Sequence, residues 1–169
     1  GTIRVESTEG VGSTFTVTLP FEIAPAPGTL PAPSTRGAAS IRGLRLLLAE
    51  DNSLNAEIAK TLLQDAGAAV TVVGDGRQAI ELFRSMPEGT FDAILMDIMM
   101  PFVDGLTAAR TIRAMQRDDA QRIPIIAMTA NAFEEDAQEC IKAGMNAHLA
   151  KPLQMELVIE TIGNLAKKR

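Results

Sequence analysis

The sequence has little of several residue types on which binding and catalytic sites often depend. Its 169 residues include no tryptophan, no tyrosine, one cysteine and one histidine. The single cysteine, Cys140, excludes an internal disulfide and is compatible with a reducing compartment. Without tryptophan or tyrosine, neither ring is present to stack on a flavin. The lone histidine, His148, has no second histidine to share a metal, so the sequence does not predict a zinc site.

Long apolar runs and excess positive charge are also missing. No stretch approaches the roughly 20 apolar residues that a membrane-spanning helix needs. The net charge of −5 and the isoelectric point near 4.9 argue against nucleic-acid binding. We therefore expect a cytoplasmic segment that contacts neither nucleic acid nor membrane. The abrupt start of the chain suggests a fragment, and its parent protein could carry a membrane anchor elsewhere.

Three segments differ in composition. Residues 1–22 predict a β-hairpin, with two β-prone runs separated by Glu9-Gly10-Val11-Gly12. The glycines of this turn do not predict a phosphate loop, because no third glycine and no Gly-Lys-Ser/Thr follows them. Residues 23–43 are rich in proline, alanine and glycine and predict a linker, with a proline-rich docking motif as the less favoured alternative. Residues 44–169 form the main domain.

Strand and helix patterns alternate five times from residue 44 onward. Apolar runs such as Ala93-Ile94-Leu95-Met96 are too short for helices and predict strands buried on both faces, as in a parallel sheet. The first helical run places Ile58 and Leu62 on its apolar face with Ala59 and Leu63. Short connections and right-handed crossovers predict an α/β fold with a doubly wound five-stranded parallel sheet in the order 2-1-3-4-5.

Polar side chains follow four of the predicted strands: Glu50 and Asp51 the first, Asp97 the third, Thr129 the fourth and Lys151 the fifth. These strand ends face one crevice in the predicted topology. Three carboxylates there repel one another, and a hard divalent cation, Mg²⁺ or Mn²⁺, relieves that repulsion. With a lysine and a hydroxyl, the crevice suits a phosphoryl group. Taken singly, each residue has an ordinary explanation, such as an acidic pair at a helix N-terminus; the combination favours the phosphoryl site.

Four pieces of the chain, LLLAEDN, LMDIMMPFVDG, IAMTAN and HLAKP, resemble the receiver domain of two-component signalling. The resemblance implies the flavodoxin-like receiver fold and a phosphorelay in which Asp97 accepts a phosphoryl group. The donor is then a domain bearing a phosphohistidine, either a dimerisation and phosphoacceptor domain or a histidine phosphotransfer domain.

The resemblance also implies roles for the other residues of the crevice. Glu50, Asp51 and Asp97 help to hold Mg²⁺ together with the backbone carbonyl of Met99, and Thr129 and Lys151 bind the phosphoryl oxygens. Receivers usually carry tyrosine or phenylalanine three residues before the lysine, as a ring that moves when the threonine moves. His148 stands there in this sequence, and we expect it to be a partly buried ring at this switch position.

The first 21 residues, GTIRVESTEGVGSTFTVTLPF, resemble the last two strands of a histidine-kinase ATP-binding domain. The nucleotide-binding motifs that precede those strands in that family are not in this sequence, so ATP binding is not implied. The two resemblances together imply the C-terminal part of a hybrid sensor histidine kinase.

Three rival functions remain open from the sequence. The first is a receiver-fold interaction module that is never phosphorylated. The second is a phosphatase with an aspartyl-phosphate intermediate; such enzymes usually place a second acid two residues after the nucleophile, where this sequence has Met99. The third is a flavodoxin-like cofactor binder, which an acid-lined crevice without tryptophan or tyrosine does not favour.

Overall fold

The computed structural model describes residues 1–20, 40–129 and 134–166. Most of the linker predicted at residues 23–43 lies outside these ranges. The chain divides into two compact units, Gly1–Arg36 and Gly37–Arg169. In the described residues, no helix has both the length and the apolar character needed to cross a membrane.

The N-terminal unit contains the predicted hairpin. Strands β1 (Thr2–Thr8) and β2 (Gly12–Thr18) pair in antiparallel register. The register places Ile3 opposite Val17 and Val5 opposite Phe15. Because side chains alternate between the faces of a strand, these four apolar residues share one face, and threonine, arginine and glutamate occupy the other. The four apolar side chains are exposed, so this hairpin has an amphipathic sheet with its apolar face uncovered.

The second unit is built on a parallel sheet of five strands in the spatial order β4-β3-β5-β6-β7. The strands are β3 (Arg45–Ala49), β4 (Ala69–Val73), β5 (Ala93–Asp97), β6 (Ile125–Thr129) and β7 (Ala147–Ala150). Counted within this unit, the order is 2-1-3-4-5, and all four neighbouring pairs are parallel. The predicted doubly wound sheet and its strand order are confirmed.

Within the described residues, six helices connect or follow these strands: α1 (Ser53–Asp65), α2 (Gly76–Ser85), α3 (Gly105–Arg113), α4 (Asp118–Arg122), α5 (Glu134–Lys142) and α6 (Met155–Ala166). Five of them were predicted. The exception, α4, is one turn long, so it offers no repeating apolar pattern. Asn52, Asp75 and Asp104 cap α1, α2 and α3 through side-chain oxygens that accept backbone N–H groups.

The sheet is covered by helices on both faces because alternate residues of each strand point to opposite sides. Leu46 and Leu48 of β3 belong to a core cluster that includes Leu63 of α1 and Ile162 of α6. Their neighbours in β3 pack in a second cluster on the other face, with residues of α2 and α3. Strands β5 and β6 are buried throughout, as their continuous apolar runs predict.

The packing differs from the sequence-based expectation at α1 and at the end of the linker. Ile58 and Leu62 of α1 are not covered by the sheet: 51% and 41% of their surfaces are exposed. The sheet covers a narrower stripe of α1, formed by Ala56, Ala59 and Leu63. Ile41, placed in the linker from its composition, is fully buried in the same core cluster as α1. The packed domain therefore begins a few residues before residue 44.

Candidate functional site

The parallel sheet brings the predicted polar residues together at one edge. Glu50 follows the end of β3, Asp97 is the last residue of β5, and Thr129 is the last residue of β6. Lys151 follows β7, and its backbone N–H donates to the carbonyl oxygen of Thr129 at 2.7 Å. All these strands end at the same edge because they are parallel, which is where ligands bind in open α/β sheets.

Three carboxylates form a compact cluster at this edge. Glu50, Asp51 and Asp97 each place one carboxylate oxygen within 4.8 Å of the others. Glu50 and Asp97 are 4% and 5% exposed, whereas Asp51 lies at the surface. The donors are all oxygens, which hard divalent cations prefer. With two buried carboxylates and one exposed carboxylate, the cluster could hold such a cation.

Lys151 bridges the two buried acids. Its Nζ atom donates to Glu50 Oε2 and to Asp97 Oδ2, both at 2.6 Å. Burial works against the lysine charge, but the hydrogen bonds to Asp97 and Glu50 outweigh it and raise the pKa of Lys151 above its ordinary value. When all three acids are ionised, one ammonium group leaves two negative charges unbalanced, which is the charge that a divalent cation neutralises.

Asp97 has an environment suited to a reacting carboxylate. Its Oδ1 accepts the backbone N–H of Met99 at 3.2 Å, and its Oδ2 accepts from Lys151. Burial raises the pKa of Asp97, and the nearby Glu50 charge adds to the effect, although the hydrogen bonds from Lys151 oppose it. Asp97 therefore carries a partly desolvated carboxylate held by two donors. Thr129, at the end of the next strand, is 6% exposed.

Comparisons with known proteins agree with this geometry. Residues 46–163 match the response regulator receiver domain family. The chain belongs to that family. It is 37% identical over 120 residues to hybrid signal transduction histidine kinase I of Dictyostelium discoideum and 35% identical over 155 residues to histidine kinase 1 of Arabidopsis thaliana. These matches cover 70% and 74% of this chain, but only 7% and 13% of the two relatives.

Receiver domains of known structure share the fold. The receiver domain of the sensor histidine kinase PA1611 from Pseudomonas aeruginosa has a TM-score of 0.66 and 39% identity to this chain. The match covers 74% of this chain and 98% of that domain, whose structure has a magnesium ion in the active site cleft. The chain is thus a receiver of the two-component phosphorelay type, similar to those of hybrid histidine kinases.

The backbone at Gly105 packs closely against the end of β5, where Asp97 lies. Gly105, the first residue of α3, donates its N–H to the carbonyl of Ile98 at 3.0 Å. A Cβ atom at Gly105 would overlap the carbonyl oxygen of Asp97 and lie 3.0 Å from the Cα of Ile98. These are backbone atoms and cannot turn aside as a side chain would. The start of α3 therefore packs directly on the end of β5 only because residue 105 has no side chain.

We expect Gly105→Ala to damage both the fold and the site. The added methyl group must push α3 away from the end of β5, at a cost of about 1–3 kcal/mol in the free energy of unfolding. Gly74→Ala is the matched control, because a Cβ there meets its nearest neighbour, Gln78 Nε2, at an ordinary 3.7 Å. Urea unfolding of the two variants measures the effect, and equal stabilities would contradict this view of Gly105.

One polar residue of the site was not predicted from the sequence. Asn55, in the first turn of α1, donates from Nδ2 to Glu50 Oε1 at 3.2 Å. The sequence feature that could have indicated this contact is the spacing of the two residues. Because α1 begins just after Asn52, its first turn places residue 55 near residue 50. Asparagine at that place, taken alone, gives no hint of a ligand.

His148 differs from the expectation. The ring was predicted to be partly buried, but His148 is exposed in this structure. The burial pattern of β7 explains this: Leu149 enters the core, and His148 points to the other side of the edge strand. His148 lies beside a groove lined by Ile141 and Lys142 of α5. The side chain therefore belongs to the surface between α5 and β7.

A larger groove adjoins the acidic cluster. It has a volume of about 480 Å³ and is lined at one end by Glu50, Asn55 and Lys151. The remaining lining is mainly apolar: Ile58, Ala59, Leu62, Pro152, Leu153 and Met155. The two residues of α1 that were wrongly predicted to enter the core, Ile58 and Leu62, are thus wall residues of a groove that leads to the site.

Proposed function

We propose that the domain accepts a phosphoryl group on Asp97 from a phosphohistidine. The observation that carries this proposal is the position of Asp97: the residue is 5% exposed, and its carboxylate lies 2.6 Å from the Lys151 ammonium and is grouped with two further acids. A carboxylate kept ionised by a lysine and a cation is a nucleophile, and the same two charges stabilise the phosphoryl oxygens.

The reaction moves one phosphoryl group between two partners. An oxygen of Asp97 attacks the phosphorus, the new O–P bond forms as the N–P bond breaks, and the electron pair of that bond returns to the imidazole. Lys151 and the hydroxyl of Thr129 would bind the phosphoryl oxygens, Lys151 by shifting from the two acids to which it now donates. The protein's contribution is positioning and charge neutralisation rather than covalent chemistry of its own.

We assign the metal site to Glu50, Asp51 and Asp97, with the carbonyl of Met99 as a further ligand. When bound there, Mg²⁺ or Mn²⁺ would supply positive charge that offsets the negative charge of the phosphoryl group. The oxygen-only donor set and the two uncompensated negative charges support this assignment. The N–H of Met99 already donates to Asp97, so the backbone of that residue lies at the site.

We further propose that Thr129 and His148 report phosphorylation to the surface formed by α5 and β7. Thr129 ends β6, and β7 runs directly beside it, with Ala150 opposite Thr129 and His148 opposite Ala127. A movement of the Thr129 hydroxyl toward the phosphoryl group would open space next to β7, which the exposed ring of His148 can enter.

We propose that the phosphohistidine lies on another domain. The single histidine of these 169 residues is His148, which we assign to the surface formed by α5 and β7. We propose that the donor domain, a histidine phosphotransfer domain or a dimerisation and phosphoacceptor domain, docks on the groove beside α1. The groove supports this choice because it is continuous with the site: Glu50 and Lys151 line its polar end. A domain seated there buries Ile58 and Leu62 and holds its histidine over Asp97.

We expect Ile58→Glu to slow phosphotransfer from a protein donor without affecting phosphorylation by a small acyl phosphate. A charge in the groove must be desolvated when the donor docks, and a loss of about 1.4 kcal/mol corresponds to tenfold weaker binding. Leu157→Glu serves as the matched control, because Leu157 has similar exposure, 48%, but does not line the groove. Donor docking elsewhere would be indicated by equal transfer rates for the two variants.

The wider protein is proposed to be a hybrid sensor histidine kinase that acts in the cytoplasm, where Cys140 stays reduced. The exposed apolar face of the hairpin supports the proposal of a larger domain. A two-stranded hairpin is only marginally stable by itself in water. A further part of such a domain would cover the exposed side chains of Ile3, Val5, Phe15 and Val17. We propose that residues 1–22 end an ATP-binding domain and that residues 23–43 connect it to the receiver.

A further inference from the structure

The buried carboxylate of Glu50 is held at both oxygens. Lys151 Nζ donates to Oε2 at 2.6 Å, and Asn55 Nδ2 donates to Oε1 at 3.2 Å. In the described part of the chain, these two hydrogen bonds hold the Glu50 side chain. Lys151 is shared with Asp97 and is expected to move toward an incoming phosphoryl group. The Asn55 amide, by contrast, donates to Glu50 and not to Asp97.

The position of Asn55 is itself fixed by the start of α1. The side-chain oxygen of Asn52 accepts the backbone N–H groups of Leu54 and Asn55, both at 3.1 Å. This cap sets the first turn of the helix, and the first turn follows Glu50 and Asp51 directly in the chain. The amide of Asn55 is thus carried on a rigid element that begins at the metal ligands.

We propose that Asn55 is a positioning residue that orients the Glu50 carboxylate for the divalent cation. A carboxylate turns easily about the bond to its carboxyl carbon unless a donor fixes its plane. With Oε1 held by Asn55, Oε2 stays directed at the space shared with Asp97 when Lys151 leaves it. Residues that orient a metal ligand commonly contribute 10–100-fold to metal affinity. This inference rests on the metal site assigned under the proposed function.

Asn55 also lines the groove beside α1, which gives a second explanation that must be separated from the first. A residue that only contacts the docked donor would affect transfer from a protein donor and leave Mg²⁺ binding unchanged. A residue that positions Glu50 would change Mg²⁺ binding in the isolated chain, with no phosphodonor present. Metal affinity therefore distinguishes the two roles.

The test is a Mg²⁺ titration of the full chain followed by the amide NMR signals of residues 50 and 51. Asn55→Leu removes the donor and keeps a side chain of similar size, and Leu54→Ala is the control in the same helical turn, with its capping N–H retained. We expect the Mg²⁺ dissociation constant to rise about tenfold or more in Asn55→Leu and to stay at the wild-type value in Leu54→Ala.

A second pair of variants ties the effect to Glu50. In a Glu50→Ala background, Asn55→Leu should cause no further loss of Mg²⁺ affinity, because the group that it orients is gone. Equal affinity for wild type and Asn55→Leu would overturn the inference and leave the metal site standing. The same loss in the Glu50→Ala background would also overturn it. Absence of Mg²⁺ binding in the wild type would overturn both the inference and the metal assignment.

Discussion

The Asp97→Asn variant is expected to gain no phosphoryl group from either a protein donor or a small acyl phosphate, while remaining folded. Asparagine keeps the shape of the side chain and can still accept the N–H of Met99, but its amide is not a nucleophile. The loss should be complete within detection, because no other described carboxylate is both buried and in contact with Lys151 except Glu50. Intact mass after incubation with the donor and Mg²⁺ measures this.

Glu50→Gln is the useful comparison for Asp97→Asn. It also replaces a buried carboxylate bonded to Lys151 by an amide, so it matches the charge change while sparing the proposed nucleophile. We expect it to be phosphorylated slowly, since a metal ligand is weakened, but to be phosphorylated. A phosphoryl group found on Asp97→Asn would move the acceptor to another residue.

Mg²⁺ is expected to stabilise the wild-type chain, and Asp51→Ala should remove most of that effect. For 10 mM Mg²⁺ and an assumed dissociation constant of about 1 mM, binding to the folded state alone adds about 1.4 kcal/mol to the free energy of unfolding. Asp51 is the exposed member of the carboxylate cluster, so its replacement leaves no buried cavity. The measurement is thermal unfolding with and without Mg²⁺.

Asp65→Ala provides the control for charge. Asp65 is an exposed acid at the far end of the same helix, roughly 18 Å from its start at 1.5 Å per residue. Both variants remove one negative charge, but only Asp51→Ala should lose the Mg²⁺-dependent shift. A melting temperature that Mg²⁺ leaves unchanged in the wild type would count against the metal site.

The sheet and the acidic cluster could be predicted because both depend on local patterns. Apolar runs such as Ala93–Met96 identify buried parallel strands, and parallel strands place their carboxyl ends at one edge. The sequence position of Asp97 directly after such a run was therefore enough to place it in the crevice. The contacts of Lys151 with Glu50 and Asp97 follow from the same topology.

The burial of individual side chains, which depends on how helices pack against the sheet, could not be predicted in this way. Helical periodicity gave α1 an apolar face that includes Ile58 and Leu62, but it cannot show how much of that face the sheet covers. The uncovered part became a groove wall. Likewise, Ile41 follows a segment rich in proline, alanine and glycine, and only the packed core shows that it is buried.

Long-range contacts of polar side chains were equally beyond the sequence. Arg113 of α3 donates to the carbonyls of Ala120, Ile123 and Gly144. These bonds tie α3 to α4 and to the two loops that lead into β6 and β7, at the opposite end of the sheet from the site. These acceptors are backbone atoms, which every residue has, so no pattern of residue types identifies them. The hydrogen bond from Asn55 to Glu50 could not be predicted either, because it depends on where the fold places the Glu50 carboxylate.

The central claim, that this chain is a phosphoacceptor at Asp97, is tested most directly by the intact mass of the wild-type chain after incubation with a small acyl phosphate. The account predicts the gain of a single phosphoryl group that requires a divalent cation and maps to the peptide containing Asp97. Hydroxylamine, which cleaves acyl phosphates, should remove it. An unchanged mass in the presence of Mg²⁺, with the fold intact, would contradict the account and favour a receiver-fold interaction module.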